Sequence, residues 1–381
     1  MKRNIKNILC LAIIAITVAV VNSERKLVEE FSINLNGYSI GFPDDSTKNI
    51  YETSGRFIPR NVIPTRANIH TNHALMALPR YKPGVPFTLG VLTLDTNECN
   101  PQVTPFPCWA IQEEGNCQAL QNAVDVAVDI QEILWILDIG IVNTMEQPVR
   151  RCPPKIVGLN LVTERVVKVI DLSPLVNSSS RLQYVAIDYG SHGDAHIYVA
   201  DAGGRAIIVY NINEERGYRV VLPKVVSPGP EKKDALYIAL VKRNGGQSIL
   251  YFTYLNSRKI YSISANNLRT GNANGAIVEV GVKPRKLVLL GTDNGCAIFF
   301  RYKGESDVYM WNSNTPFVQE NFLLVQKGNE NRLPTQVMPG FPGFSDLVWV
   351  LESNFQDYIQ NTVSCSGASV GIHPLLKSCD D

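Results

Sequence analysis

The chain has 381 residues, with Lys plus Arg at 36 and Asp plus Glu at 35, giving a net charge of +1 at pH 7. That balance offers no electrostatic footing for nucleic acid or for an anionic membrane surface. At 45% hydrophobic residues the chain can bury a large core.

Lys2, Arg3 and Lys6 precede an apolar stretch at residues 8–21, followed by Ser23 and the charged Glu24-Arg25-Lys26. This order predicts a secretory signal peptide over residues 1–23. A membrane anchor is the rival reading, but the apolar run is about 14 residues where a span needs about 20. Cys10 leaves with the leader, and the mature chain keeps Cys99, Cys108, Cys117, Cys152, Cys296, Cys365 and Cys379. In a secreted chain that predicts disulfides and one unpaired thiol. No pair has a C-x-x-C spacing, so no zinc site is expected. Asn177-Ser178-Ser179 is an N-glycosylation sequon in a Ser-rich loop.

Six short runs of β-formers follow in order, five of them around an aromatic residue. They centre on Met76, Trp135, Tyr198, Tyr251, Phe299 and Trp349, at steps of 59, 63, 53, 48 and 50 residues. Such spacing suits one four-stranded propeller blade per step. Each run closes a predicted hairpin: 124–129 with 133–138, 182–188 with 196–201, 236–241 with 249–254, and 286–290 with 297–302. Gly-rich turns such as Asn244-Gly245-Gly246 and Asp293-Asn294-Gly295 join several of them. Outer strands are predicted at 155–161, 165–172, 206–212, 218–222 and 258–264, with 266–274 a polar turn and no helices beyond short turns. Residues 24–63 are expected to supply an outer strand that closes the ring against the last blade. The expected fold is all-β, a six-bladed β-propeller with four-stranded antiparallel blades around a central channel. Residues 24–381 would form that single domain, since a lone blade cannot bury both faces.

Several segments resemble the Yellow and major royal jelly protein family of insects. They are Leu78-Pro79-Arg80-Tyr81-Lys82-Pro83-Gly84, Pro105-Phe106-Pro107-Cys108-Trp109, Leu134-Trp135-Ile136-Leu137-Asp138-Ile139-Gly140, Cys152-Pro153-Pro154-Lys155, and Ile197-Tyr198-Val199-Ala200-Asp201-Ala202-Gly203-Gly204. The resemblance runs from about Gly55 to Asn361 and implies a secreted six-bladed propeller. It implies no single function, because the family includes pigmentation factors with dopachrome-converting activity, amine-binding salivary proteins and nutritive proteins. It also implies a Cys117–Cys152 bridge. Cys99–Cys108 and Cys365–Cys379 are further expected pairs, with Cys296–Cys379 as the alternative to the latter. Gln131 and Met310 stand where many relatives carry cysteine.

If the second strand of each blade ends at the channel mouth, its closing residues form a ring of Pro79, Asp138, Asp201, Tyr254, Tyr302 and Glu352, joined by Asp125 and Asp234 at inner-strand starts. Carboxylates and tyrosines at one mouth suit a cationic aromatic guest. The expected ligand contacts are therefore Asp138, Tyr254, Tyr302 and Glu352. Asn354 and Phe355 join them, since they fall where the resemblance places channel residues. The competing reading makes each aspartate a turn cap, and Trp135, Tyr198 and Trp349 are read as core. No G-x-S-x-G is present, and His70, His73, His192, His196 and His373 show no triad or metal spacing. His70 and His73, which flank the first hairpin, are candidates for a general base. A calcium-dependent hydrolase ranks below aromatic binding, since no D-x-D-x-D loop exists.

The resulting expectation is a secreted propeller that binds a small aromatic amine or catechol-derived compound, with a role in pigmentation, cuticle or secretion. It would act without cofactor, metal, nucleic acid or membrane, as a monomer. A dopachrome tautomerase-type isomerase is the enzyme alternative, and a nutritive or structural protein without a ligand is the third.

Overall fold

The computed structural model describes residues 31–94, 100–190, 193–227, 234–242, 247–271, 275–328, 331–341 and 347–377. The predicted leader lies outside them. Six four-stranded antiparallel sheets stand around an axis as blades of a propeller. Their inner strands are Arg66–His70, Ala123–Val128, Leu182–Tyr189, Leu236–Val241, Leu287–Thr292 and Leu333–Pro339. These six touch in sequence around the axis, and the first meets the last.

The hairpins follow the local chemistry. Alternating β-branched and aromatic residues favour a pleated, half-buried surface, and carboxylates close the turns. Asp129 Oδ1 accepts the backbone N–H groups of Gln131 and Ile133, and Asp293 Oδ1 accepts those of Gly295 and Ala297. Trp135, Tyr198 and Trp349 are buried between sheets. Gly158 stands opposite Trp135, and a Cβ there would lie 2.8 Å from the indole, so the ring fills the space that glycine leaves.

Ile33–Leu35 pairs with Val370–Lys377 and completes the last blade, so the two ends of the described chain share one sheet and no blade is left to open. Lys82 reinforces this closure. Its Nζ donates to the Tyr358 carbonyl at 2.5 Å and to Asn361 Oδ1 at 2.7 Å, while Tyr358 Oη donates to the Asn61 carbonyl. Cross-blade hydrogen bonds tie the inner ring: Gln336 accepts from Ala67 N and donates to Ala67 O, and Gln183 Oε1 accepts from Leu236 N.

Two helical segments differ from the expectation of short turns. Asp45–Thr53 is a nine-residue helix whose N-cap, Asp44, accepts the Thr47 N–H, and none of its residues is buried. Ala265–Arg269 is helical where a polar turn was expected, with Ala265 and Leu268 buried. The Cys117–Cys152 bridge is present, with Cα atoms 5.5 Å apart. Closing a loop of this length stabilises by about 3–4 kcal/mol on chain-entropy reasoning. Cys99 and Cys379 lie outside the described residues, so the pairs expected for Cys108 and Cys365 do too. Asn177 is exposed, and its Oδ1 accepts from the backbone and hydroxyl of Ser179.

Candidate functional site

The channel is walled by inner strands, because the second strand of a blade stands about 4.8 Å farther from the axis. The central cavity has about 150 Å³ of free volume. A cavity of about that size accommodates one aromatic ring. Arg66, Asp125 and Tyr184 line it toward the end where inner strands begin. Lys242, Thr292 and Asn294 line it toward the end where the inner hairpins turn.

At the first end, residues from four successive blades converge. Arg66 Nε lies 3.8 Å from Asp125 Oδ1, and the Arg66 guanidinium sits 4.4 Å over the Tyr184 ring. Tyr184 stacks on Tyr237 at 5.5 Å. Asp125 is held by the Val126 N–H on Oδ1 and by the Val185 N–H, from the next blade, on Oδ2. Arg66 also donates to the Thr335 carbonyl, and Arg301 to that of Pro334.

Burial raises the Asp125 carboxyl to about 6, with Arg66 and the two backbone N–H groups opposing the rise. Burial works against the Arg66 charge, but Asp125, Tyr184 and Tyr237 outweigh it and hold its proton affinity above the ordinary arginine value. Burial likewise raises Tyr184 and Tyr237, so both hydroxyls stay protonated and able to donate. The mouth therefore combines a carboxyl that burial raises to about 6, a fixed cation and the Tyr184 phenol beside a ring-sized space, with Tyr237 stacked on Tyr184. Such a set can bind a planar oxygenated ring and move a proton on it.

The residues expected from the second-strand ends lie elsewhere, and none of the six lines the central cavity. Asp138 is fully buried and accepts the N–H groups of Gln121, Asn122 and Gly140. Asp201 repeats this one blade on, accepting from Arg181 N and Gly204 N and pairing with Arg219 at 3.0 Å. Tyr254 Oη donates to the Ala202 carbonyl, and Tyr302 packs among Phe300 and Tyr309 under Arg285. Asn354 accepts the Ser369 N–H, and Phe355 stacks on Tyr358. His70 and His73 sit at the hairpin-turn end, where His70 Nε2 lies 3.2 Å from Glu132; His192 lies outside the described residues. Of the acidic residues expected at the mouth, Asp125 is the one that lines the cavity. Arg66, Tyr184 and Tyr237 were missed; the available signal was their place near the starts of inner strands.

Glu352 lies buried in the closing blade, 3.5 Å from Arg332 Nη1 and 3.7 Å from His373 Nε2. Burial disfavours charge on both acid and imidazole. His373 and Arg332 nevertheless hold Glu352 below its ordinary 4.5, and Glu352 with the Pro374 carbonyl holds His373 above 6.5. The imidazolium contribution is complete below pH 6.5 and is lost as pH rises through the raised folded value; the carboxylate contribution is complete above 4.5 and is lost as pH falls through the lowered one. Scanning calorimetry across pH 5 to 9 should therefore show His373→Gln reducing the fall in Tm on the alkaline side. An unchanged profile would mean that the pair adds no pH dependence.

A family model described as Major royal jelly protein matches residues 121–375. Dopaminechrome tautomerase of Drosophila melanogaster is 32% identical over 172 residues, which is 44% of this chain and 37% of that protein, so the chain spans well under half of that relative's length. Protein yellow of Drosophila yakuba is 25% identical over 390 residues, covering 93% of this chain and 70% of that one. Among solved structures, virginiamycin B lyase from Staphylococcus aureus matches with a TM-score of 0.46 at 12% identity, over 90% of this chain and 98% of that one.

Proposed function

The chain belongs to the Yellow and major royal jelly protein family, and from that premise we propose that it is a secreted protein of pigment chemistry that binds a small catechol-derived ring at its channel and moves a proton on it. The observation that carries this reading is the mouth cluster of Asp125, Arg66 and Tyr184 beside a one-ring cavity. The name of the Drosophila melanogaster relative supplies a substrate of this kind, dopaminechrome. Its conversion to a dihydroxyindole takes two protons, one from each saturated carbon of the five-membered ring, and delivers one to each quinone oxygen. A carboxylate titrating near 6 serves the first step, and protonated phenols suit the second.

The local charge favours a neutral quinone over a protonated amine, because Arg66 offsets Asp125 at the mouth. Calorimetric titration with 4-methylcatechol and with dopamine tests the binding step, and loss of dopaminechrome colour tests the chemistry. Binding of 4-methylcatechol together with decay faster than with heat-inactivated protein is the expected result. Binding with no acceleration would leave a binder rather than an isomerase, and no binding of either compound would remove the reading.

A further inference from the structure

At the far end of the same cavity stands a lysine that the proton-transfer chemistry does not use. Other sheltered lysines are tied to carbonyl oxygens: Lys82 to Tyr358, Lys155 to Cys117 and Ala119, Lys283 to Tyr254 and Leu255. Lys242 lines the central cavity and has no hydrogen bond, and no ion pair within 4 Å, among the described residues.

The carboxylates that act on its charge are already committed. Asp129 accepts from Gln131 N, Ile133 N, the Trp135 indole and the Tyr189 hydroxyl. Asp188 accepts from Ser248 and Tyr198 and pairs with Arg269. Burial lowers the proton affinity of Lys242 below the ordinary lysine value, with Asp188 and Asp129 opposing. A larger share of this amine is therefore neutral and nucleophilic near neutral pH than of an exposed lysine.

We infer that Lys242 is a covalent capture site for o-quinones that enter the channel. The inference rests on the reading of the channel as a site for catechol-derived rings. In the step, the Nζ lone pair bonds to a ring carbon, and the electron pair of the ring double bond shifts to the conjugated carbonyl oxygen. The proton lost from nitrogen and the proton on the attacked carbon pass to the two former carbonyl oxygens. The product is an amino-substituted catechol attached to the protein. Every atom of the quinone is retained, and the quinone is the sole co-reactant.

The test uses the full secreted chain, with Cys108, Cys365 and any other free thiol blocked first, since exposed thiols compete for quinone. The protein is treated with one equivalent of 4-methyl-o-quinone and mapped by peptide mass spectrometry. Lys242 should carry the mass of one intact quinone at several-fold higher occupancy than Lys327, whose side chain is 83% exposed. Excess 4-methylcatechol should protect Lys242 and not Lys327, and Lys242→Arg should lose the adduct while still binding 4-methylcatechol by calorimetry. Labelling of Lys242 no greater than that of Lys327 overturns the inference. If 4-methylcatechol still binds in that case, the capture site alone fails; if it does not, the reading of the channel fails with it.

Discussion

Asp125→Asn is expected to slow dopaminechrome conversion by about 10²- to 10⁴-fold, the usual range for loss of a positioned acid or base, while 4-methylcatechol still binds. The amide keeps one oxygen, which can accept one of the two N–H groups that hold the carboxylate, Val126 on Oδ1 or Val185 on Oδ2, and its NH2 group then faces the other. Two changes in stability oppose each other. The raised carboxyl value means that ionised Asp125 works against folding at neutral pH, so a neutral amide relieves that cost. The same change strands the Arg66 charge, which then keeps only its carbonyl and its place over Tyr184. Folding is to be checked by calorimetry beside the rate, and Asp125→Glu provides a second variant that restores the carboxylate.

The wild-type pH profile gives an independent readout. A general base must be ionised, so kcat/KM should fall as pH drops below about 6, and this limb should disappear in the amide variant. A rate and profile unchanged by the substitution would take proton transfer away from Asp125.

The blade hairpins were legible because their signals are local. Alternation of apolar residues with Gly-rich or Asp-capped turns marks each pair of inner strands within about 15 residues, and the observed Leu236–Val241 and Ile249–Tyr254 follow it residue for residue. The closing strand Ile33–Leu35 was legible from topology, since a ring must hide its last edge. The helix Asp45–Thr53 escaped because it buries nothing, leaving only its Asp44 cap as a signal.

The mouth was harder to read because its parts are distant in sequence and meet through the ring. Arg66, Asp125, Tyr184 and Tyr237 belong to four inner strands and share no local motif. Attention to the ends of second strands selected Asp138, Tyr254, Tyr302 and Glu352, which are conspicuous for a different physical reason. A carboxylate or phenol at a strand end is a ready partner for backbone groups where one strand hands over to another, and that is where Asp138 and Tyr254 spend their oxygens.

Asp138→Ala should accordingly unfold the protein more readily rather than weaken its ligand. The substitution leaves the N–H groups of Gln121, Asn122 and Gly140 without their acceptor. It also removes the carboxylate 3.7 Å from Lys155 Nζ, leaving that buried ammonium on the carbonyls of Cys117 and Ala119 alone. Breaking one side of a buried ion pair costs about 3–5 kcal/mol, and orphaned donors add cost that is not additive with it. Against a typical total of about 5–15 kcal/mol, such a loss is large. The Cys117–Cys152 bridge crosses the same region and limits the unfolded chain, so the variant should still fold at low temperature. Urea denaturation of non-reduced protein should show a lower midpoint, and calorimetry below the transition should show 4-methylcatechol bound with wild-type affinity. A variant as stable as wild type that had lost the ligand would return the binding site to the second-strand ring and away from Asp125.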